Sequence, residues 1–201
     1  MDEWRKLRYK DKRDREYLTP LEFDALKAAS KEGRHGVRDL AMCLMMTCHG
    51  LRVSELIGLT IGGDLIMDDA GGPKLTVKRL KGSMDTCNWL EPEVLRALRK
   101  WLKVRKRWPG TRLFVSERGA PFTRQALFYL VKSWGDRACL PFPVHPHMLR
   151  HTCGHFLANT EGAMDTRRVQ EWLGHADIRN TVKYTALSPE KFRGIWGQTW
   201  K

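Results

Sequence analysis

Between residues 147 and 184 the sequence sets out groups that suit chemistry on a phosphodiester. His147 and Arg150 form a His-x-x-Arg pair, His175 sits in Leu-Gly-His, and Tyr184 follows nine residues later. A tyrosine is an unusual nucleophile, because with an ordinary pKa of about 10 it is protonated at neutral pH. It needs basic or cationic neighbours to activate it, and an electrophile whose charge is already clamped. Arginine suits the clamp, since its planar fork of donors matches phosphate oxygens. Arg150 is one candidate, and Arg52, in the run Gly-Leu-Arg-Val-Ser-Glu-Leu that starts at Gly50, is the other. Glu55 follows Arg52 by three residues and is placed to orient it. Read alone, that pair is equally an ordinary surface ion pair on a short helix.

Other residues are open to more than one reading. Lys81 stands at the turn between two strand-like runs, with Lys78 and Arg79 beside it. An ammonium there is either solvated or free to swing into a groove and protonate a departing oxygen. His147, His151 and His155 recur at helical spacing, so a zinc site has to be weighed. The run His-Thr-Cys-Gly-His lacks the glutamate of the His-Glu-x-x-His metalloprotease motif, and two arginines on a phosphate require no metal. His151 and His155 are therefore read as core-facing, hydrogen-bonded histidines, and no metal is expected. A tyrosine is most often a half-buried aromatic, but the spacing of Tyr184 from Leu-Gly-His favours a reactive one.

The elements that must position these groups are legible in the patterning. Thr19, Pro20 and Glu22 form a capping box that opens a helix over 20–30. Residues 38–48 are apolar almost all round, which predicts a central buried helix stopped at Gly50. Gly and Asp dominate 61–73, and two strands, 74–80 and 86–90, then form a β-hairpin. A helix over 91–106 is half core and half basic, its cations reading either as a solvated face or as phosphate contacts. Leu113 to Val115 is a short apolar segment, Thr123 caps a helix through Trp134, and Pro146 opens the helix that carries His147 and Arg150. A helix over 166–173 ends at Gly174, and a short one over 178–184 carries Tyr184. Ser188 and Pro189 start a last one, whose Phe192, Ile195 and Trp196 form a large apolar face.

The chain has 201 residues, enough for one domain with a substantial core. Its 36 Lys and Arg against 23 Asp and Glu give a net charge of +13, which points to a polyanionic partner, most simply nucleic acid. The five cysteines are odd in number and without Cys-x-x-Cys spacing, as reduced intracellular thiols would be. No apolar run reaches membrane-spanning length, and the N-terminus has no apolar signal core. Residues 1–17 mix seven basic with five acidic residues and no apolar stripe, so they read as a mobile basic arm.

Taken together, these residues resemble the tyrosine recombinases, or phage-integrase family. That family's pattern is an arginine in Gly-Leu-Arg-x-Ser-Glu-Leu, a lysine in a β-hairpin, His-x-x-Arg, a histidine or tryptophan in Leu-Gly-His, and a tyrosine nine residues later. Each has a counterpart here, from about Leu18 onward. Within the family the sequence resembles the short fimbrial-switch DNA invertases, through Arg-Leu-Lys at 79–81, His-Pro-His-Met-Leu-Arg-His at 145–151, Tyr-Thr-Ala at 184–186 and Gly-Ile-Trp at 194–196.

The resemblance implies a mainly α fold with a small β-hairpin or sheet (α+β), that of the tyrosine recombinase catalytic domain, over 18–201. Its C-terminal tail, about 188–201, would dock on a neighbouring subunit. It implies a site-specific recombinase that cuts and rejoins DNA through a 3′-phosphotyrosine, by inversion or by integration and excision, without metal or cofactor. Tyr184 would be the nucleophile, with Arg52 and Arg150 the phosphate clamp and Lys81 the acid for the leaving 5′-oxygen. His147 would act as general acid/base and His175 as a phosphate donor, with Glu55 in support. Lys78, Arg79, Arg124 and Gln125 would lie near DNA. The implied partners are double-stranded DNA with inverted repeats, three further copies on paired sites (a monomer in free solution), and DNA-bending accessory proteins. The implied location is bacterial, cytoplasmic and nucleoid-associated. A type IB topoisomerase, and a DNA-binding regulator with vestigial catalytic residues, are the competing readings. The sequence departs from the family in having Ala186 where many members have histidine, in its Asp/Gly-rich 62–73 connection, and in being too short for a separate N-terminal core-binding domain.

Overall fold

Ala41 to Met46 are all fully buried, so the helix that carries them must be enclosed by others. It is the second of eight in the computed structural model, which describes residues 16–67, 72–79, 83–160 and 163–185. The order is α1 (Pro20–Lys31), α2 (Gly36–Cys48), α3 (Val53–Gly58), β1 (Leu65–Ile66), β2 (Lys74–Val77), β3 (Thr86–Trp89), α4 (Pro92–Arg105), α5 (Arg124–Arg137), α6 (Pro146–Asn159), α7 (Thr166–Leu173) and α8 (Arg179–Thr185). Helix α2 packs against α1, α4 and α6. Each large apolar side chain removed from water in this way contributes about 1.5–3 kcal/mol. This is the mainly α, α+β architecture expected. Among the described residues no helix is long and apolar enough to cross a membrane. All five cysteines are free.

The capping box at α1 forms as its residues require: Thr19 Oγ1 accepts from the Glu22 N–H, and Glu22 Oε2 accepts from the Thr19 N–H. Helix α2 begins at Gly36, two residues before the apolar run suggests, and α5 continues three residues past Trp134. The sheet holds one strand more than the hairpin. Leu65 and Ile66 pair antiparallel with Leu75 and Lys74, giving the order β1-β2-β3. Strand β2 ends at Val77 and not at Leu80, because Arg79 leaves the ladder: its N–H bonds Asp85 Oδ1 at 2.8 Å and its side chain turns inward.

Helix α8 closes on α6 and α7, so the last described element is held over the middle of the chain. Glu16 and Tyr17, assigned from sequence to the arm, lie on α6. The Tyr17 ring stacks on His155 at 3.6 Å, and Glu16 Oε2 is 3.5 Å from His151 Nε2. The rest of the arm, Lys81 and the tail over 188–201 fall outside the described residues.

Candidate active site

Three arginines from different parts of the chain share one carboxylate. Gly50, at a φ of 58° that favours glycine, ends α2 and releases the backbone to start α3. Arg52 is the N-cap of α3, with Glu55 at its third position. Glu55 Oε2 accepts the Arg52 N–H at 2.7 Å, and Oε1 accepts Arg52 Nη1 at 2.8 Å. Oε2 also takes Arg79 Nη1 at 2.6 Å, and Arg150 Nη1 lies 3.9 Å away. The Glu55 side chain has no solvent exposure, so the reading of Arg52 and Glu55 as a surface ion pair is ruled out. Burial works to raise the Glu55 pKa, but Arg79, Arg52 and Arg150 prevail and hold it below the usual carboxylate value.

Arg150 is fixed as firmly. In α6 the His145 side chain caps the helix by accepting from the Met148 N–H, and Pro146 fills the first turn. That start brings His147 to the exposed lip and Arg150 into the interior one turn later. Arg150 donates to the Gly50 carbonyl and, at 2.8 Å, to the Leu173 carbonyl. Burial, with Arg52 and Arg79 nearby, pushes its pKa down to about 10, so it is still charged at neutral pH.

Helix α7 ends at Gly174, whose left-handed φ of 65° reverses the chain and delivers His175 inward. A Cβ at Gly174 would come within 2.5 Å of the Met84 carbonyl. His175 is 6% exposed, with Nδ1 2.9 Å from Thr181 Oγ1. Burial first, then Arg150, Arg52 and Lys183, lower its pKa to about 3. His147 is shifted the same way by partial desolvation and by Arg150 and Arg52.

These groups meet in an open cleft of about 750 Å³, lined by Arg52, Ser83, Arg124, His147, Arg150 and His175 together with further residues that include Gln125. Tyr184 does not line it. Its hydroxyl is 2.7 Å from His151 Nδ1, and its ring lies against Gly154, where a Cβ would come within 2.7 Å of the ring carbons. Burial is the main cause that raises the phenol to about 12, and burial is also the main cause that lowers His151 to about 4. A protonated phenol and a neutral imidazole therefore share one hydrogen bond. The three helical histidines do not converge on a metal: His147 faces the cleft, His151 holds Tyr184, and His155 stacks on Tyr17.

Arg52, His147, Arg150 and His175 thus share one cleft, Arg124 and Gln125 stand exposed on its wall, and Lys78 is exposed on the hairpin beside it. The reading of Arg79 as a DNA contact, or as an alternative to Lys81, is corrected. Its side chain is fully buried, bonded to Glu55 and to the Trp172 carbonyl. The alternation of β2 carried the signal, since Leu75 and Val77 face inward and Arg79 continues that row. Ser83, which accepts from Arg52 Nη2 at 3.4 Å, had no comparable signal. His151 was read as hydrogen-bonded, but its partner was not foreseen.

The model of the phage integrase family matches residues 16–191. The type 1 fimbriae regulatory protein FimB of Escherichia coli K12 is 37% identical over 189 residues, covering 92% of this chain and 92% of the relative. FimE of the same strain is 37% identical over 186 residues, covering 90% and 91%. Among solved structures the XerA recombinase superposes with a TM-score of 0.74 at 28% identity, over 92% of this chain and 65% of that one. The family's model matches most of the chain, and two curated relatives match over about nine tenths of both lengths, and so the chain belongs to the phage integrase family, the tyrosine recombinases.

Proposed function

We propose that this chain cuts and rejoins duplex DNA at specific sites through a phosphotyrosine at Tyr184. The observation that carries the reading is the convergence of Arg52, His147, Arg150 and His175 on one cleft, with both arginines anchored from behind. A guanidinium has five N–H donors, and Arg150 uses two on backbone carbonyls, which leaves three for a phosphate. Held before the substrate arrives, such donors stabilise the charge that builds on a pentacoordinate phosphorus without reorganising.

In the reaction the Tyr184 oxygen attacks phosphorus and the bond to the 5′-oxygen breaks. Lys81 gives that oxygen its proton; on either side of it in the sequence, Arg79 bonds Glu55 and Ser83 bonds Arg52. His147 serves as general acid/base. His175 shares a hydrogen bond with Thr181 through Nδ1; the role assigned to it, a neutral donor to the phosphate, requires the tautomer with the proton on Nε2. The 5′-hydroxyl of another strand reverses the step, so strand exchange needs neither ATP nor metal. Tyr184 must first leave His151, and contact with the scissile strand is the trigger. Inverted repeats as sites, a tetramer on paired sites, docking of the 188–201 tail on a neighbour and help from DNA-bending proteins complete the reading.

The test is a nicked suicide duplex that carries the inverted-repeat sequence flanking the gene. The wild-type chain should form a covalent adduct and Tyr184→Phe none. An adduct of equal yield in Tyr184→Phe would sink the assignment. Lys81→Ala should cleave normal DNA poorly and recover on a 5′-bridging phosphorothiolate, whose thiolate leaves without a proton.

A further inference from the structure

From Arg96 to Arg107 every exposed residue is Lys or Arg: Arg96, Arg99, Lys100, Lys103, Lys106 and Arg107. They recur every three or four residues, so they share one face of α4 and its C-terminal turn, over about 17 Å of axis. The opposite face is locked into the core by Val94, Ala97, Leu98 and Trp101. The C-terminal end is fixed by Arg105, which turns inward and donates to the carbonyls of Trp108, Pro109, Gly110 and Arg112. The stripe is therefore a rigid row of charge.

On other helices many of the cations are paired. Lys27 meets Asp24, Lys132 meets Asp136, Arg167 meets Glu171, Arg168 meets Asp165 and Arg179 meets Asp177. None of the six on α4 has an acidic partner among the described residues. Like charges three or four apart cost a helix about 0.2–0.5 kcal/mol per pair. A favourable macrodipole accounts only for those in the last turn. The row is also distinct from the cleft, since no α4 residue lines it.

We propose that this face of α4 binds the phosphate backbone of a second segment of duplex DNA, apart from the segment held in the cleft. The proposal rests on duplex DNA being the substrate of the cleft. DNA fits better than an acidic protein because the exposed row has no aromatic or aliphatic side chain to form the desolvated centre that stable protein interfaces use. Hydrated cations against phosphates gain instead from counterion release, which requires only charge in a row. One chain would then hold two duplexes, one in the cleft and one along α4.

The test uses the full chain with Arg99, Lys100, Lys103 and Lys106 each changed to Gln, which removes charge and keeps helix propensity. Adduct formation on the nicked half-site, which reads the cleft, should match wild type. Binding to a 60-base-pair duplex of random sequence needs no cleavage, so it reads the stripe even if the assignment of Tyr184 fails. Its log affinity against log salt should flatten by about 3.6 for four lost phosphate contacts. The wild-type adduct, with its cleft filled, should capture a second labelled duplex and the variant adduct should not. Lysine at Arg99 alone should behave as wild type, because charge and not geometry is read. An unchanged salt slope, or capture by the variant equal to wild type, overturns the proposal. Polyglutamate of matched charge displacing the captured duplex at lower concentration than competing DNA overturns it in favour of an acidic protein.

Discussion

The two halves of the proposed site, the arginine cluster in the cleft and Tyr184 outside it, are built in opposite ways. Around Glu55 every guanidinium is anchored: Arg52, Arg79 and Arg150 are tied to one buried carboxylate or to backbone carbonyls, so the cluster is in place before any substrate arrives. Tyr184, the proposed nucleophile, is committed elsewhere, its hydroxyl on His151 and its ring on Gly154. The contrast separates two requirements of a reaction that stores a DNA end on protein. Electrophile stabilisation benefits from rigidity, whereas a nucleophile always in place would attack any phosphate that entered.

The sharpest way to break the comparison is Glu55→Gln. Loss of the shared carboxylate leaves three guanidinium groups without their counter-charge, and breaking a buried ion pair costs about 3–5 kcal/mol. Denaturant unfolding should show a loss of that order together with little adduct; a loss below 1 kcal/mol would mean the arginines hold one another through the backbone alone.

Acid should loosen the Tyr184 half. His151 and His175 have folded pKa values of about 4 and 3, below the ordinary histidine value, so each contributes stability that is present above about pH 6.5 and fades as pH falls through that window. The loss is about 2 kcal/mol for each ring at pH 5. Hydrogen exchange, corrected for its intrinsic pH dependence, should show α8 losing protection between pH 6.5 and 4 before α5 does, a helix that carries no histidine. Simultaneous loss in both helices would erase the distinction.

Gly154→Ala acts on the same half without charge. The new methyl would meet the Tyr184 ring, and overpacking of this kind costs about 1–3 kcal/mol. Melting should register it, and α8 should show the displacement in its exchange protection. The smallest effect is expected from His151→Ala, which removes the hydrogen bond that holds the phenol back. With a bond of about 1 kcal/mol lost, adduct formation should speed up by about fivefold. Slower cleavage would instead make His151 a helper of attack.

Much of this was readable before any coordinates, because the readable parts are local. Arg52 at a helix start, His147 one turn ahead of Arg150, and the glycine before His175 are short-range patterns with a physical reason, and each was found where its pattern said. Arg79 was misread because its partner, Glu55, lies 24 residues away, and a hairpin arginine looks solvated unless the strand's alternation is carried past its end. Strand β1 was missed because two residues in a glycine-rich stretch carry no period to detect. The link between His151 and Tyr184 spans 33 residues and depends on how α8 folds back, which no local spacing encodes.

The anchoring of Arg150 also sets a timetable for synthesis. One of its carbonyl partners, on Gly50, precedes it by 100 residues, and the other, on Leu173, follows it by 23. A growing chain that has emerged only as far as α6 holds Arg52, Glu55 and Arg79, but it lacks the Leu173 acceptor for Arg150 and the Trp172 carbonyl for Arg79. Two buried cations are then left short of acceptors, and the half-made clamp has no reason to close. The full set of acceptors for the cluster therefore exists only once α7 has been made, after most of the chain has been synthesised.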